Sequence, residues 1–175
     1  MEAALHHLRE VTYVNTEFWE RHITAVDAPY VVAAHTFPHA RPFVSAPPTQ
    51  QRVAETLHTP NTMRRIVLND QGERAGLWIA SLHDGWLVEI HLIIATVPGL
   101  GVGRFALRSA MRWAFEDVGA HRAWLEVTAA NTAARGLYES EGFVHEGTYR
   151  HGFRAQDGTF EDLAHYGLLE SEYRR

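Results

Sequence analysis

A turn containing three glycines, set between an apolar strand and an amphipathic helix, constrains the fold of this chain more than any other feature. The turn spans Val97–Arg104 and reads V-P-G-L-G-V-G-R. Before it, Trp86–Ile94 is rich in β-branched and apolar residues, which predicts a largely buried strand. After it, apolar residues recur at three- and four-residue steps between Leu107 and Val118, which predicts a helix with one buried face.

Such a turn is suited to binding a phosphate or a pyrophosphate. Glycines let the backbone approach a ligand closely, and the first N–H groups of the following helix point outward at the positive end of its dipole. The spacing excludes two common phosphate motifs. The dinucleotide fingerprint G-x-G-x-x-G is not met, and no Gly-Lys-Ser/Thr follows, as a P-loop would require.

A second motif lies downstream. Trp124–Val127 predicts another strand, and the segment Asn131–Phe143 follows it. This segment fits the pattern Asn-x-x-Ala-x-x-x-Tyr-x-x-x-Gly-Phe at every specified position, with Tyr138 as its tyrosine.

The two motifs together resemble the GNAT acetyltransferase superfamily, whose acetyl-CoA loop is written Arg/Gln-x-x-Gly-x-Gly/Ala. Gly101 and Gly103 occupy the two small positions of that loop. Pro98 stands where the family usually has Arg or Gln, which removes one side chain and one backbone N–H from the loop. Within the superfamily, the chain looks most like the ribosomal-protein N-terminal and polyamine acetyltransferase branches.

The resemblance implies a mixed α/β fold, with a central mixed sheet of about seven strands flanked by about four helices. It implies one domain over residues 1–175. We read the element order as a strand, two helices, three strands, a helix, a strand, a helix and two strands joined at Asp157-Gly158. Near the N-terminus this places a strand at Leu5–Val14, a helix at Glu17–Val26 capped by Asn15 or Thr16, a break at Pro29 and a short helix at Tyr30–His35.

The resemblance also implies an enzyme that moves an acetyl group from acetyl-CoA directly to a primary amine, either a protein or peptide N-terminus or a small amine. Tyr138 stands at the position of the family's general acid. A tyrosine hydroxyl with a pKa of about 10 can protonate a leaving thiolate with a pKa of about 8.5. Asn131 suits the N-cap of the next helix and, by resemblance, a contact to pantetheine.

Two carboxylates compete for the role of general base. Glu126 matches the base of the N-terminal acetyltransferase branch, and Glu89, on the strand before the glycine turn, is the alternative. His91 lies two residues beyond Glu89, on the same strand face, and could act through its near-neutral pKa.

The remaining expected contacts of acetyl-CoA are the end of the central strand, the glycine turn and the downstream motif. The full set is Ile93, Ile94, Ala95, Gly99, Leu100, Gly101, Val102, Gly103, Arg104, Asn131 and Tyr138. By resemblance, the proline-rich segment Phe37–Ser45 would form one wall of the acceptor site.

Composition excludes several classes of function. The formal charge of -5 argues against general nucleic-acid binding, and the absence of cysteine excludes a covalent acetyl-cysteine. No apolar run is long enough to cross a membrane, and the N-terminus does not read as a signal peptide, so we expect a soluble cytoplasmic protein. The 12 histidines are scattered without a metal-binding spacing, so no metal is expected.

The sequence leaves two questions open, namely whether the protein is catalytic and whether it is a monomer or a homodimer. The same fold can bind acyl-CoA without turning it over, as a sensor or interaction module, and both Pro98 and the unassigned base leave room for that function. The exposed strand edges of the C-terminal hairpin are compatible with a monomer or a homodimer.

Overall fold

The computed structural model describes residues 18–173, in which a seven-stranded mixed sheet carries helices on both faces. The strands are β1 (Phe18–His22), β2 (Thr62–Asn69), β3 (Arg74–His83), β4 (Leu87–Ala95), β5 (Arg122–Thr128), β6 (Val144–Arg154) and β7 (Phe160–Leu169). The α-helices of these residues are α1 (Ala28–Ala34), α2 (Gln50–Glu55), α3 (Val102–Arg112), α4 (Thr132–Ser140) and α5 (Glu170–Tyr173). The strand order is β1-β2-β3-β4-β5-β7-β6. The predicted mixed α/β architecture is confirmed.

Two predictions for the N-terminal part of the chain are wrong. Within the segment predicted as a helix over Glu17–Val26, Phe18–His22 instead form β1, because they pair with β2 in antiparallel register. Pro29 does not interrupt a helix but lies in the first turn of α1, where a missing N–H costs nothing. The predicted strand at Leu5–Val14 and the caps at Asn15 or Thr16 lie outside the described residues.

The described part of the chain forms two hydrophobic cores, one on each face of the sheet. The first includes the buried side of α3 and residues from β2 to β5 and β7, among them Trp78, Val88, Phe105, Leu107 and Leu125. The second includes residues of α1, α2 and the opposite face of β2 to β4, among them Val31, Val53, Ile66, Leu77 and Ile94.

A β-bulge in β4 lets this strand contribute to both cores. The pairing of β3 with β4 shifts between Ile79 and Ala80, which leaves His91 without a partner on β3. In a regular strand, Ile90 and Ile94 would share a face. Because the bulge inserts one residue between them, Ile90 packs into the first core and Ile94 into the second.

The parallel pairing of β4 with β5 is short. It runs from Leu87–Arg122 to Glu89–Trp124, three residue pairs in all. Beyond that point β5 continues to pair with β7 as far as Thr128, while β4 continues to pair with β3. The two strands therefore separate, and a cleft opens between them at the carboxyl end of β4.

Asp27 ties the start of α1 to two strands. Its buried carboxylate accepts hydrogen bonds from Arg21 of β1 at 2.7 and 2.8 Å, from Arg74 of β3 at 2.8 Å and from the Thr24 N–H at 2.9 Å. Burial alone would raise the pKa of Asp27, but these hydrogen bonds outweigh it and hold the pKa well below its usual range.

We expect Asp27→Asn to destabilise the protein by about 2 kcal/mol at pH 7, because it leaves two arginines without their shared carboxylate. The folded-state pKa of Asp27 is depressed, so its contribution is fully present above its unfolded pKa of about 3.9 and is lost as the pH falls below that value. The difference in free energy of unfolding between wild type and variant should therefore shrink below pH 4, as measured by urea unfolding.

The matched control is Glu55→Gln, which removes an exposed carboxylate paired with Arg52 at 3.7 Å. It should change the stability by less than about 1 kcal/mol at any pH. A difference between wild type and Asp27→Asn that stays constant down to pH 2 would contradict this account of Asp27.

Candidate active site

The glycine turn presents the start of α3 to the cleft. Gly101 is the N-cap of α3 and has a φ of 86°, a left-handed conformation that favours glycine. Among residues 18–173 no side chain caps the helix, so its first N–H groups stay available to a ligand. Gly76 of β3 lets α3 approach the sheet, since a Cβ at Gly76 would lie 2.6 Å from Val102 Cγ1.

The cleft between β4 and β5 has a volume of about 620 Å³. Its walls come from the end of β4, the glycine turn, β5, α4 and the segment before α2. It brings together most of the residues that the sequence assigned to acetyl-CoA, namely Ile93, Ile94, Ala95, Gly99, Gly101, Gly103, Arg104, Asn131 and Tyr138. Leu100 is exposed outside these walls, and the Val102 side chain is buried in the first core, so Val102 can offer only its backbone.

The residues present fit acetyl-CoA. The edge of β4 that faces the cleft has no strand partner beyond Glu89 among the described residues, so its backbone groups can meet the amides of a pantetheine chain. The uncapped start of α3 suits a pyrophosphate. Pro98 also lines the cleft and, without an N–H, reduces the number of backbone donors in the turn.

Helix α4 fixes the position of Tyr138. Asn131 is its N-cap, because its Oδ1 accepts a hydrogen bond from the Ala134 N–H at 3.1 Å. The Tyr138 ring packs against Phe143 and Tyr166, with centroid distances of 6.2 and 6.0 Å. Burial, together with the neighbouring Tyr166, raises the pKa of Tyr138 to about 12.

The two candidate bases have different surroundings. Glu126 lines the cleft, and its Oε1 lies 3.5 Å from Nδ1 of His165. Glu89 is not part of the cleft wall. Its carboxylate lies between His83 and His91, 3.1 Å from a ring nitrogen of each. Burial lowers the pKa of His91, an effect that Glu89 partly offsets.

Arg104 and Arg108 both contact Glu141. Arg104 forms an ion pair with the Glu141 carboxylate, and Arg108 Nε lies 2.7 Å from it. These contacts join the start of α3 to the end of α4 and so brace the glycine turn. A contact from Arg104 to a CoA phosphate stays a prediction.

The proline-rich segment reaches the end of β4. His39 Nε2 is hydrogen-bonded to the Ala95 carbonyl at 2.8 Å, and Phe43 lines the cleft beside it. Gln156, at the tip of the C-terminal hairpin, donates to the Val44 and Ser45 carbonyls at 3.3 and 3.1 Å. The segment therefore forms one wall of the cleft, although its role in acceptor binding stays a prediction.

Sequence reasoning missed two histidines of this region, His39 and His165. His165 is the cross-strand partner of Glu126 in the pairing of β5 with β7. The only sequence signal was the hairpin turn, which sets the register of β6 and β7 but not the register of β7 on β5. His39 belongs to a segment with irregular backbone, whose path no periodicity predicts.

Comparison with known proteins decides the family. The model of the GNAT acetyltransferase family matches residues 26–143, which is more than half of the chain. The chain belongs to the GNAT acetyltransferase family. The prediction of an acetyl-CoA-dependent acyltransferase is thereby confirmed at the level of the family.

Individual relatives lie in the polyamine branch of this family. Spermidine N(1)-acetyltransferase of Vibrio cholerae serotype O1 is 28% identical over 117 residues, which cover 65% of this GNAT chain and 67% of that protein. A solved structure of a single-residue mutant of spermidine N-acetyltransferase SpeG from Vibrio cholerae superposes with a TM-score of 0.78 at 23% identity, covering 91% of this chain and 97% of that one. A dodecameric structure of the same enzyme gives a TM-score of 0.76 at 23% identity, covering 91% and 97%. The structural likenesses show the fold.

Within residues 18–173, no helix combines the length and the apolar character that a membrane crossing requires.

Proposed function

We propose that this GNAT enzyme acetylates a primary amine of a small aliphatic polyamine, with spermidine as the first acceptor to test. The observation that carries the proposal is the cleft itself, because Glu126 and Tyr138 both line it beside the uncapped start of α3. The acceptor class is supported by the spermidine acetyltransferase similar to this chain and by a carboxylate in the cleft wall. Acetyl-CoA supplies the acetyl thioester, held by the start of α3 and the free edge of β4.

Glu126 is our candidate for binding and deprotonating the acceptor. An aliphatic ammonium with a pKa of about 10.4 is protonated at neutral pH and must lose a proton before its nitrogen can attack. The Glu126 carboxylate attracts the ammonium and accepts that proton, directly or through water. His165 Nε2 lies 3.5 Å from Glu146, so the His165 ring lies between Glu126 and a second carboxylate toward the sheet edge.

Tyr138 stabilises the departing sulfur. With a pKa of about 12, its hydroxyl stays protonated throughout the neutral range. Full proton transfer to a thiolate with a pKa of about 8.5 is then unfavourable. Tyr138 therefore acts mainly as a hydrogen-bond donor to the developing negative charge, which is strongest in a site that excludes water.

The first test is release of free CoA thiol with a panel of acceptors. We expect turnover with spermidine and other polyamines, and little turnover with amino acids, peptides with a free N-terminus or aminoglycosides. Turnover with peptides alone would contradict the proposal that the acceptor is a polyamine, but it would still support the assignment as an acetyltransferase. No turnover with any amine, while CoA still raises the melting temperature, would instead support a non-catalytic acyl-CoA-binding protein.

We expect Tyr138→Phe to lower kcat by about 10²-fold, because it removes the donor to the sulfur while keeping the packed ring. The affinity for CoA, measured by titration calorimetry, should stay close to that of the wild type. Because the raised pKa keeps Tyr138 protonated, its ionisation should cause no loss of wild-type activity between pH 7 and 10. An undiminished kcat would remove Tyr138 from the mechanism.

Glu126→Gln and Glu89→Gln form a matched pair for the base, since each replaces a strand carboxylate by its uncharged isostere. We expect Glu126→Gln to lower kcat/KM for spermidine by about 10²-fold, because the deprotonating group in the cleft is lost. Glu89→Gln should affect the rate less, because Glu89 lies outside the cleft wall between two histidines. A larger loss for Glu89→Gln would reverse the assignment.

A further inference from the structure

We propose that His83, Glu89 and His91 form a binding site for a divalent transition-metal ion, with Zn²⁺ as the best fit. One donor atom from each of these residues lies within 4.8 Å of the other two. Glu89 stands between the imidazoles, with Oε2 3.1 Å from His83 Nε2 and Oε1 3.1 Å from His91 Nδ1. The sequence did not suggest this site, because the spacing His-x5-Glu-x-His matches no familiar metal motif.

The hairpin of β3 and β4 determines where these donors lie. Ser81 pairs with Glu89 and His83 with Leu87, so His83 and Glu89 are diagonal neighbours on one face of the sheet. His91 is the bulged residue of β4, and the bulge directs its ring toward Glu89. All three donors therefore project from one antiparallel ladder, and little backbone ordering is needed to bring them together.

The chemistry of the donors points to Zn²⁺. Two imidazole nitrogens and one carboxylate oxygen form a three-ligand set used by Zn²⁺ when water or another ligand completes the coordination. Zn²⁺ binds such donors at metal-to-ligand distances of about 2.0–2.2 Å. The three side chains therefore have to rotate so that one donor atom of each reaches the ion. The side chains are 45%, 26% and 35% exposed for His83, Glu89 and His91, which leaves an entry path and room for water.

The positive charge of a neighbouring arginine opposes binding of the ion. Arg64 of β2 is close enough to act electrostatically on His91. Its repulsion limits the affinity, although Glu89 cancels one of the two charges of the ion. Of the three ligands, His91 lines the acetyl-transfer cleft, whereas His83 and Glu89 do not, so the ion would lie beside that cleft and not within it.

The test is titration calorimetry with Zn²⁺ alone on the full chain, free of any affinity tag and treated with a chelator. We expect one ion per chain. His83→Asn and Glu89→Gln should each weaken binding by at least about tenfold, because each removes a ligand. His151→Asn is the matched control for His83→Asn, since His151 lies on β6, with β5 and β7 between that strand and β4. It should leave binding unchanged.

A second control removes the adjacent pair His6 and His7, which could hold Zn²⁺ adventitiously. Binding that disappears in His6→Ala/His7→Ala but survives in His83→Asn would overturn the proposal, as would no binding to the wild type. Co²⁺ offers an independent readout, because the chain has no cysteine and visible bands would report nitrogen and oxygen ligands only. Those bands should vanish in Glu89→Gln, and bands that persist there would contradict the site. Neither measurement requires acetyl-CoA or an amine, so failure of this proposal is distinct from failure of the acetyltransferase assignment.

Discussion

The early end of the parallel pairing between β4 and β5 is the constraint on which the rest of the site depends. Three residue pairs hold the strands together, and each strand then follows its antiparallel neighbour on the other side. A buried strand edge without partners would be costly, because each unpaired N–H or C=O loses its hydrogen bond with water. The edge of β4 avoids this cost by facing an open cleft. The same backbone groups are then free to bind a chain of amides.

The bulge at His91 affects both the packing of the second core and the direction of the His91 ring. It turns the end of β4 so that Ile94 reaches the second core, and it directs the His91 ring toward Glu89. In a regular strand, Ile94 would face the first core. The end of β4, which lines the cleft, would then also change its position. Removing the bulge would therefore disturb the core and the site at once, since both depend on one extra residue in the ladder.

The motif residues of the candidate site were predictable because each motif is local. Gly101, Asn131 and Tyr138 lie within single strand–turn–helix segments, where one turn or one cap decides the conformation. The carboxylates were not predictable in this way. Glu126 and Glu89 both lie on strands of similar character, and only the separation of β4 from β5 places the first in the cleft and the second beside two histidines. Likewise, no local pattern could show that Arg104 pairs with Glu141, 37 residues away.

The sequence by itself determined the family motifs, the mixed α/β class and most of the elements from β2 to β7, because apolar periodicity, glycine turns and helix caps act over a few neighbouring residues. It did not determine β1, whose residues resemble a helix start until β2 offers them a partner. Tertiary structure alone decided which carboxylate faces the cleft. It also decided that His39 of the proline-rich segment is hydrogen-bonded to the Ala95 carbonyl at the end of β4, and that three potential metal ligands lie together on the β3–β4 hairpin. The reason is physical: strand register and strand separation arise from pairing between distant segments, and a shift of one residue reverses the face on which every side chain lies.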